Sequence, residues 1–136
     1  MTDSVSDIEQ AIIDEFSVFG DDWTMKYEHL MDQARLLQPL PEKFRKDVFL
    51  ISGCQSQVWL AAEKKEEVYT FYADSNALIT KGMIALLIRV IQNQPASVIL
   101  NHPFNFIKAI GLQNQLSPTR ANGLRSMIQR IQQWVK

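Results

Sequence analysis

Apolar residues at Ile8, Ile12, Phe16 and Phe19 recur at helical spacing and predict a first amphipathic helix. Ser6 and Glu9 form a capping-box pair at its start, and Gly20 offers a positive-φ exit. Asp21 or Asp22 then caps a second helix with the apolar face Trp23, Tyr27, Leu30, Ala34 and Leu37, ended by Pro39 and Pro41. With almost no linker, the two helices should lie antiparallel or steeply crossed. The pattern changes after Asp47. Residues 48–51 form a short strand-like run broken by Ser52 and Gly53. Residues 57–63 and 68–73, rich in β-branched and aromatic side chains, predict a hairpin with Lys64, Lys65 and Glu66 at its tip. In its first strand Val58 and Leu60 alternate with Trp59 and Ala61.

Helical spacing returns after Ser75, an N-cap candidate, with Leu78, Ile79, Gly82, Met83, Leu86, Leu87 and Val90 on a broad stripe that marks the central helix. Pro95 stops it. Residues 96–115 predict one or two short helical turns punctuated by Pro103 and Gly111. Ser117-Pro118 then starts a last helix whose apolar face is Ala121, Leu124, Ile128, Ile131 and Val135. Helix–helix–hairpin–helix–helix is an α+β order, expected as one domain over residues 1–136.

Composition adds exclusions. With 46% hydrophobic and 21% charged residues among 136, the chain is an ordinary globular one able to build its own core. Fourteen Lys+Arg against fifteen Asp+Glu leave a net charge of -1, without the basic excess that nucleic acid or an anionic membrane surface requires. The single cysteine, Cys54, rules out an internal disulfide and a thiolate-rich metal or cluster site within one chain. A lone thiol suits a reducing compartment. Asp3, Asp7 and Glu9 stand where a secretory signal would be basic, and the apolar stretch 83–88 ends at Arg89. The expectation is a soluble, cytoplasmic protein.

Cys54 lies in Ser52-Gly53-Cys54-Gln55-Ser56-Gln57, a tight polar loop of poor core-builders, which favours a functional thiol over a buried apolar one. Loop amides are candidates to ionise it. His29 and His102 sit in no hydrolase motif, and the His and Cys spacing matches no metal site. Asp74 has two readings: a cap at the strand-to-helix junction, or a side chain that reaches back to pin the cysteine loop. Arg120 stands in a first helical turn, where a cation is disfavoured, so it is either solvated or set against a partner carboxylate.

The string Gly53 to Trp59, GCQSQVW, resembles the active-site segment of SufE-type sulfur-acceptor proteins. Four further strings resemble that family in order: Trp23…Lys26-Tyr27, Leu40-Pro41…Arg45, Asp74-Ser75…Lys81-Gly82, and Leu116 to Arg120 with Gly123-Leu124. Phe49, where a polar Asn is common, and Ala34, where Gly is usual, depart from the pattern. The resemblance implies a small antiparallel sheet covered by helices in two layers, like iron–sulfur scaffold proteins. It further implies that Cys54 accepts persulfide sulfur from a SufS-like or CsdA-like cysteine desulfurase, stimulates that enzyme and passes sulfur to an iron–sulfur scaffold. Pyridoxal phosphate then belongs to the desulfurase, and this chain carries no cofactor or metal and is not itself an enzyme. Gly53, Gln55, Ser56, Gln57 and Asp74 would support the loop, Arg120 would meet the partner, and residues 48–51 would shelter the thiol. The rival readings are a cluster scaffold, a pure adaptor and a cysteine hydrolase.

Overall fold

The computed structural model describes residues 4–136; Asp3, one of the acidic residues weighed above, lies outside them. Two helices, α1 (Val5–Ser17) and α2 (Trp23–Leu36), precede two 3-10 turns at Glu42–Phe44 and Asp47–Phe49. The hairpin β1 (Val58–Lys65) and β2 (Val68–Ser75) leads into α3 (Leu78–Ile91). Short helices α4 (Ala96–Leu100) and α5 (Phe106–Ala109) and a turn at Leu112–Gln115 connect to α6 (Pro118–Trp134). The architecture is α+β, as the pattern of elements predicts.

Most start and stop signals act where they stand. Gly20 takes φ +55°, and Asp22 caps α2 by accepting from the Met25 N–H at 3.2 Å. Ser117 caps α6 by accepting from the Arg120 N–H at 3.2 Å, with Pro118 at the first helical position. Two caps differ. Ser4, not Ser6, opens α1, accepting from the Asp7 N–H at 3.1 Å. Ser75 does not cap α3, because the strand pairing Val58↔Ser75 holds it extended; its hydroxyl instead accepts from the Ala77 N–H at 3.2 Å.

The hairpin pairs from Val58↔Ser75 to Lys65↔Val68, so Lys64 and Lys65 belong to the strand. The turn is Glu66-Glu67, both at positive φ (52° and 72°), the twist that a two-residue hairpin connection demands. Residues 48–51 do not form a strand of their own. They make a 3-10 turn and one bridge, Leu50↔Trp59, because Phe49 turns to pack on Phe44 and Trp134. The outer edge of β2 is closed by residues 92–94. Gln94 and Asn93 exchange backbone bonds with Tyr69, and the Gln92 amide bonds both backbone groups of Phe71. An edge blocked this way offers no template for another strand.

One face of the hairpin, with Val58, Leu60, Phe71 and Ala73, packs on α3 in the main core. The other carries a smaller cluster of Leu40, Phe44 and Ala61 rimmed by Phe49, Trp59, Tyr72 and Trp134. Ten of the fourteen residues of α3 are buried, which makes it the central element the broad stripe implies. Arg89 of α3 ties α1 and α2 to it, donating to both Glu15 oxygens (2.9 and 2.5 Å) and to the Gln33 amide oxygen (3.0 Å).

Candidate functional site

The loop from Ser52 to Gln57 enters β1 between the first turns of α3 and the body of α6. Gly53 takes φ +87°, and a Cβ placed on it would stand 2.5 Å from the Ser126 hydroxyl of α6. Only glycine allows both the conformation and the approach. The next residue, Cys54, is half-buried, and its thiol donates weakly to the Gly123 carbonyl, 3.7 Å away. At the far end of the loop, Gln57 donates its N–H to the Asn76 side-chain oxygen (3.1 Å), and the Asn76 N–H returns to the Gln57 carbonyl (3.3 Å).

Cys54 opens into a cavity of about 80 Å³. Gln55 and Ser56 close one side of it, Thr80 and Met83 of α3 a second, and Thr119, Arg120, Gly123 and Met127 of α6 the third. Gln55, Ser56 and Arg120 are thus brought to the thiol, while Gly53 and Gln57 hold the loop ends. Burial pushes the Cys54 thiol up from its ordinary pKa, so the resting group is protonated and the loop amides do not ionise it.

Asp74 does neither of the two things its sequence position suggests. It does not cap α3, and its carboxylate faces Arg45 (2.6 Å) and Lys81 (3.1 Å) while accepting from the Ser75 N–H at 2.8 Å. Opposite Trp59 in the register, it sits where Arg45 lies 4.8 Å over the Trp59 ring. The cysteine loop lies beyond the strand end, within reach of Asn76 rather than Asp74. Burial raises the Asp74 carboxyl, but the bonds from Arg45, Lys81 and Ser75 outweigh it and hold the pKa below the ordinary value. A depressed carboxylate stabilises the fold above its unfolded pKa and loses that contribution as pH falls through its folded one. Asp74→Asn should therefore lower stability by about 1 kcal/mol at neutral pH. The gap to the parent should narrow as urea midpoints are followed down through the carboxylate range, while alkylation of Cys54 stays at the parent rate. A gap constant with pH would remove the ion pairs from the account.

The apolar shelter also differs from expectation. Val48 is 71% exposed, and Phe49 is stacked against Trp134 in the outer cluster; Met83 and Met127, both buried, supply the apolar wall beside the sulfur. The two histidines are elsewhere. His29 meets Glu15 at 2.9 Å, and His102 faces Glu9 at 3.1 Å without the alignment of a hydrogen bond. Neither lines the Cys54 cavity, so no Cys–His pair is assembled. Among the described residues, no group of three His, Cys, Asp or Glu is placed to hold a metal ion, and no helix is long and apolar enough to cross a membrane.

Thr80, Asn76 and Met127 join the site without having been singled out in the sequence, whereas Met83 stood there only in the apolar stripe and Gly123 only in a family-like string. A broader signal was legible there: Met1 to Asp74 carries fifteen Asp+Glu and seven Lys+Arg, whereas Ser75 to Lys136 carries seven Lys+Arg and no acidic residue. The near-neutral total conceals this segregation. Arg120, exposed on the cavity rim, belongs to the basic half and enters no ion pair among the described residues.

Comparison with known proteins covers nearly the whole chain. Residues 10–135 match the family described as SufE, Fe-S metabolism associated domain. An uncharacterized SufE-like protein of Rhizobium etli is 37% identical over 130 residues, covering 92% of this chain and 87% of its own length. The cysteine desulfuration protein SufE of Wigglesworthia glossinidia brevipalpis is 37% identical over 110 residues, 79% of this chain and 76% of that one. The chloroplastic/mitochondrial SufE-like protein 1 of Arabidopsis thaliana is 41% identical over 108 residues, 79% of this chain but 29% of its own. The solution structure of a hypothetical protein from Thermus thermophilus shares the fold, with a TM-score of 0.77 at 19% identity, covering 94% of this chain and 93% of that one.

Proposed function

The chain belongs to the SufE family, and from that premise we propose that it is a sulfur carrier: Cys54 accepts sulfur from a cysteine desulfurase, stimulates that enzyme and passes the sulfur toward iron–sulfur cluster assembly. The observation that carries the reading is the placement of the one cysteine. Cys54 follows Gly53, which turns the loop at positive φ, and lies at the mouth of a cavity large enough for an added sulfur atom. The desulfurase presents R–S–S⁻. The Cys54 thiolate attacks the outer sulfur, the S–S bond of the donor breaks, and the donor cysteine leaves as a thiolate that takes up the proton lost by Cys54. Cys54 ends as Cys–S–S⁻, with no net oxidation. Pyridoxal phosphate acts in the desulfurase, and this chain's share is a nucleophile, a shelter and a docking face.

Burial keeps the thiol protonated at rest, so the attack requires the loop to leave its cavity against the donor, where the thiol ionises more readily. The ties to be broken are few: the weak thiol–Gly123 contact and the Asn76 clasp. Chemistry of this kind fits a compartment that keeps thiols reduced, the cytoplasm for this chain. The test is mass spectrometry of the intact protein after incubation with a SufS-type desulfurase and cysteine. Gain of one or more sulfur atoms on Cys54, removed by reductant, supports the carrier. Stimulated desulfurase turnover with Cys54 unmodified leaves only an adaptor.

Arg120 is proposed to meet the partner. Exposed rim charges act mainly on encounter rate and salt dependence. Arg120→Glu should weaken association with the desulfurase most at low ionic strength, at an unchanged melting temperature. Parent-like binding across a salt series would make Arg120 a solvated helix residue.

A further inference from the structure

Among the described residues three polar or charged side chains are buried, and two have obvious employment. Lys26 lies 4.7 Å over the Trp23 ring and donates to the Ile110 carbonyl at 3.4 Å; Gln33 accepts from Arg89 at 3.0 Å. The third is Thr80, 7% exposed, in the first turn of α3 and on the wall of the Cys54 cavity. None of the side-chain hydrogen bonds among the described residues uses its hydroxyl, whose oxygen keeps some accessible surface on a residue that lines the cavity. Such a hydroxyl, without a protein partner, gains no stability over a valine of the same shape at that position. The helix that carries it adds a second feature: the N-cap of α3 is Ala77, and no side chain caps its first turn. Its free N–H groups give that end of the fourteen-residue helix a partial positive charge.

The resting thiol does not need these donors, since it donates its own proton to the Gly123 carbonyl. A persulfide reverses the requirement. Cys–S–S⁻ has no proton to give, so the Gly123 carbonyl becomes a poor neighbour, and a negatively charged sulfur retracted into the cavity requires a donor on the opposite wall. The donors Gln55, Ser56, Thr119 and Arg120 belong to the cavity's more exposed side; of the buried side chains that line it, Met83 and Met127 offer no donor, whereas Thr80 does. We propose that Thr80 is a positioning residue, whose hydroxyl donates a hydrogen bond to the outer sulfur of the Cys54 persulfide and holds it inside the cavity against the uncapped first turn of α3. The role rests on the carrier reading, and it assigns the cavity two states: Gly123 accepts from the thiol before loading, and Thr80 donates to the sulfane sulfur after it.

The experiment separates this role from the carrier reading by loading Cys54 chemically. Parent, Thr80→Val and Thr80→Ser are treated with inorganic polysulfide and desalted. Alkylation of the bound sulfur by iodoacetamide is then followed by mass spectrometry across pH. A lost hydrogen bond to a charged sulfur should raise the midpoint of the pH profile in Thr80→Val by about one pH unit. Thr80→Ser should return it toward the parent. Melting of the unloaded Thr80→Val protein should match or exceed the parent, because valine keeps the volume and removes an unpartnered hydroxyl. Coincident pH profiles for parent and Thr80→Val overturn the proposal, as does a shifted profile that Thr80→Ser fails to restore. A parent that loads from polysulfide but never from a desulfurase sinks the carrier reading and leaves the Thr80 result standing.

Discussion

Cys54→Ser is expected to abolish sulfur uptake from a desulfurase altogether, with the fold unchanged. Serine cannot form the S–S bond that holds the cargo, and the chain has no second thiol to substitute for Cys54. The substitution should cost little stability, because Cys54 is only half-buried and its contact with Gly123 is a weak sulfur hydrogen bond. Mass spectrometry should show no added sulfur, with thermal unfolding close to that of the parent. The variant also divides two effects that wild-type protein combines. If Cys54→Ser still accelerates the desulfurase, docking stimulates it; if stimulation is lost, relief comes from removing sulfur. Sulfur retained on Cys54→Ser would place the acceptor elsewhere and end the carrier reading.

Gly82→Ala should give the largest loss of stability of any single methyl added to this chain's helices. Helix propensity alone argues the other way, since Gly to Ala in a helix interior stabilises by about 0.5–1 kcal/mol. Here the methyl would overlap the backbone carbonyl and the side chain of Leu30, where α2 rests directly on α3. Neither helix is free to retreat, because Leu30 is buried and Arg89 bridges α3 to Glu15 and Gln33. Overpacking costs about 1–3 kcal/mol, and a clash with backbone lies at the upper end, so after the propensity gain a net loss near 2 kcal/mol and a melting temperature lower by roughly 6–10 °C are expected. A neutral or stabilising result would mean that the helices separate more easily than this contact implies.

The elements were largely written in local chemistry. Ser117-Pro118 marks the start of α6, Gly20 and Asp22 mark the junction of α1 with α2, and the apolar stripe identifies α3 as the centre. Such signals act within a few residues of themselves, so they survive being read without a fold. The failures came where a distant partner intervened. Residues 48–51 have strand-forming side chains, yet Phe49 gains more by packing on Phe44 and on Trp134 at the other end of the chain than by pairing. Ser75 has a capping hydroxyl, yet the ladder to Val58 claims it first.

For the site, the sequence by itself singled out the proposed nucleophile and the glycine beside it. One cysteine beside a glycine in a polar loop is a statement about covalent chemistry and backbone freedom, and both belong to the residues themselves. Membership of the SufE family is likewise carried by strings of residues. Only the tertiary structure decided what surrounds the sulfur. Asp74 and Asn76 are two residues apart, and each has a side chain able to accept a bond from the loop. The hairpin register and Arg45 take the first away to an ion pair, and the strand end leaves the second beside Gln57. Thr80 and Met127 are forty-seven positions apart and meet across one cavity because α3 and α6 flank the same loop. Their roles depend on three-dimensional distance and burial, which govern a thiol's ionisation and a hydroxyl's need for a partner.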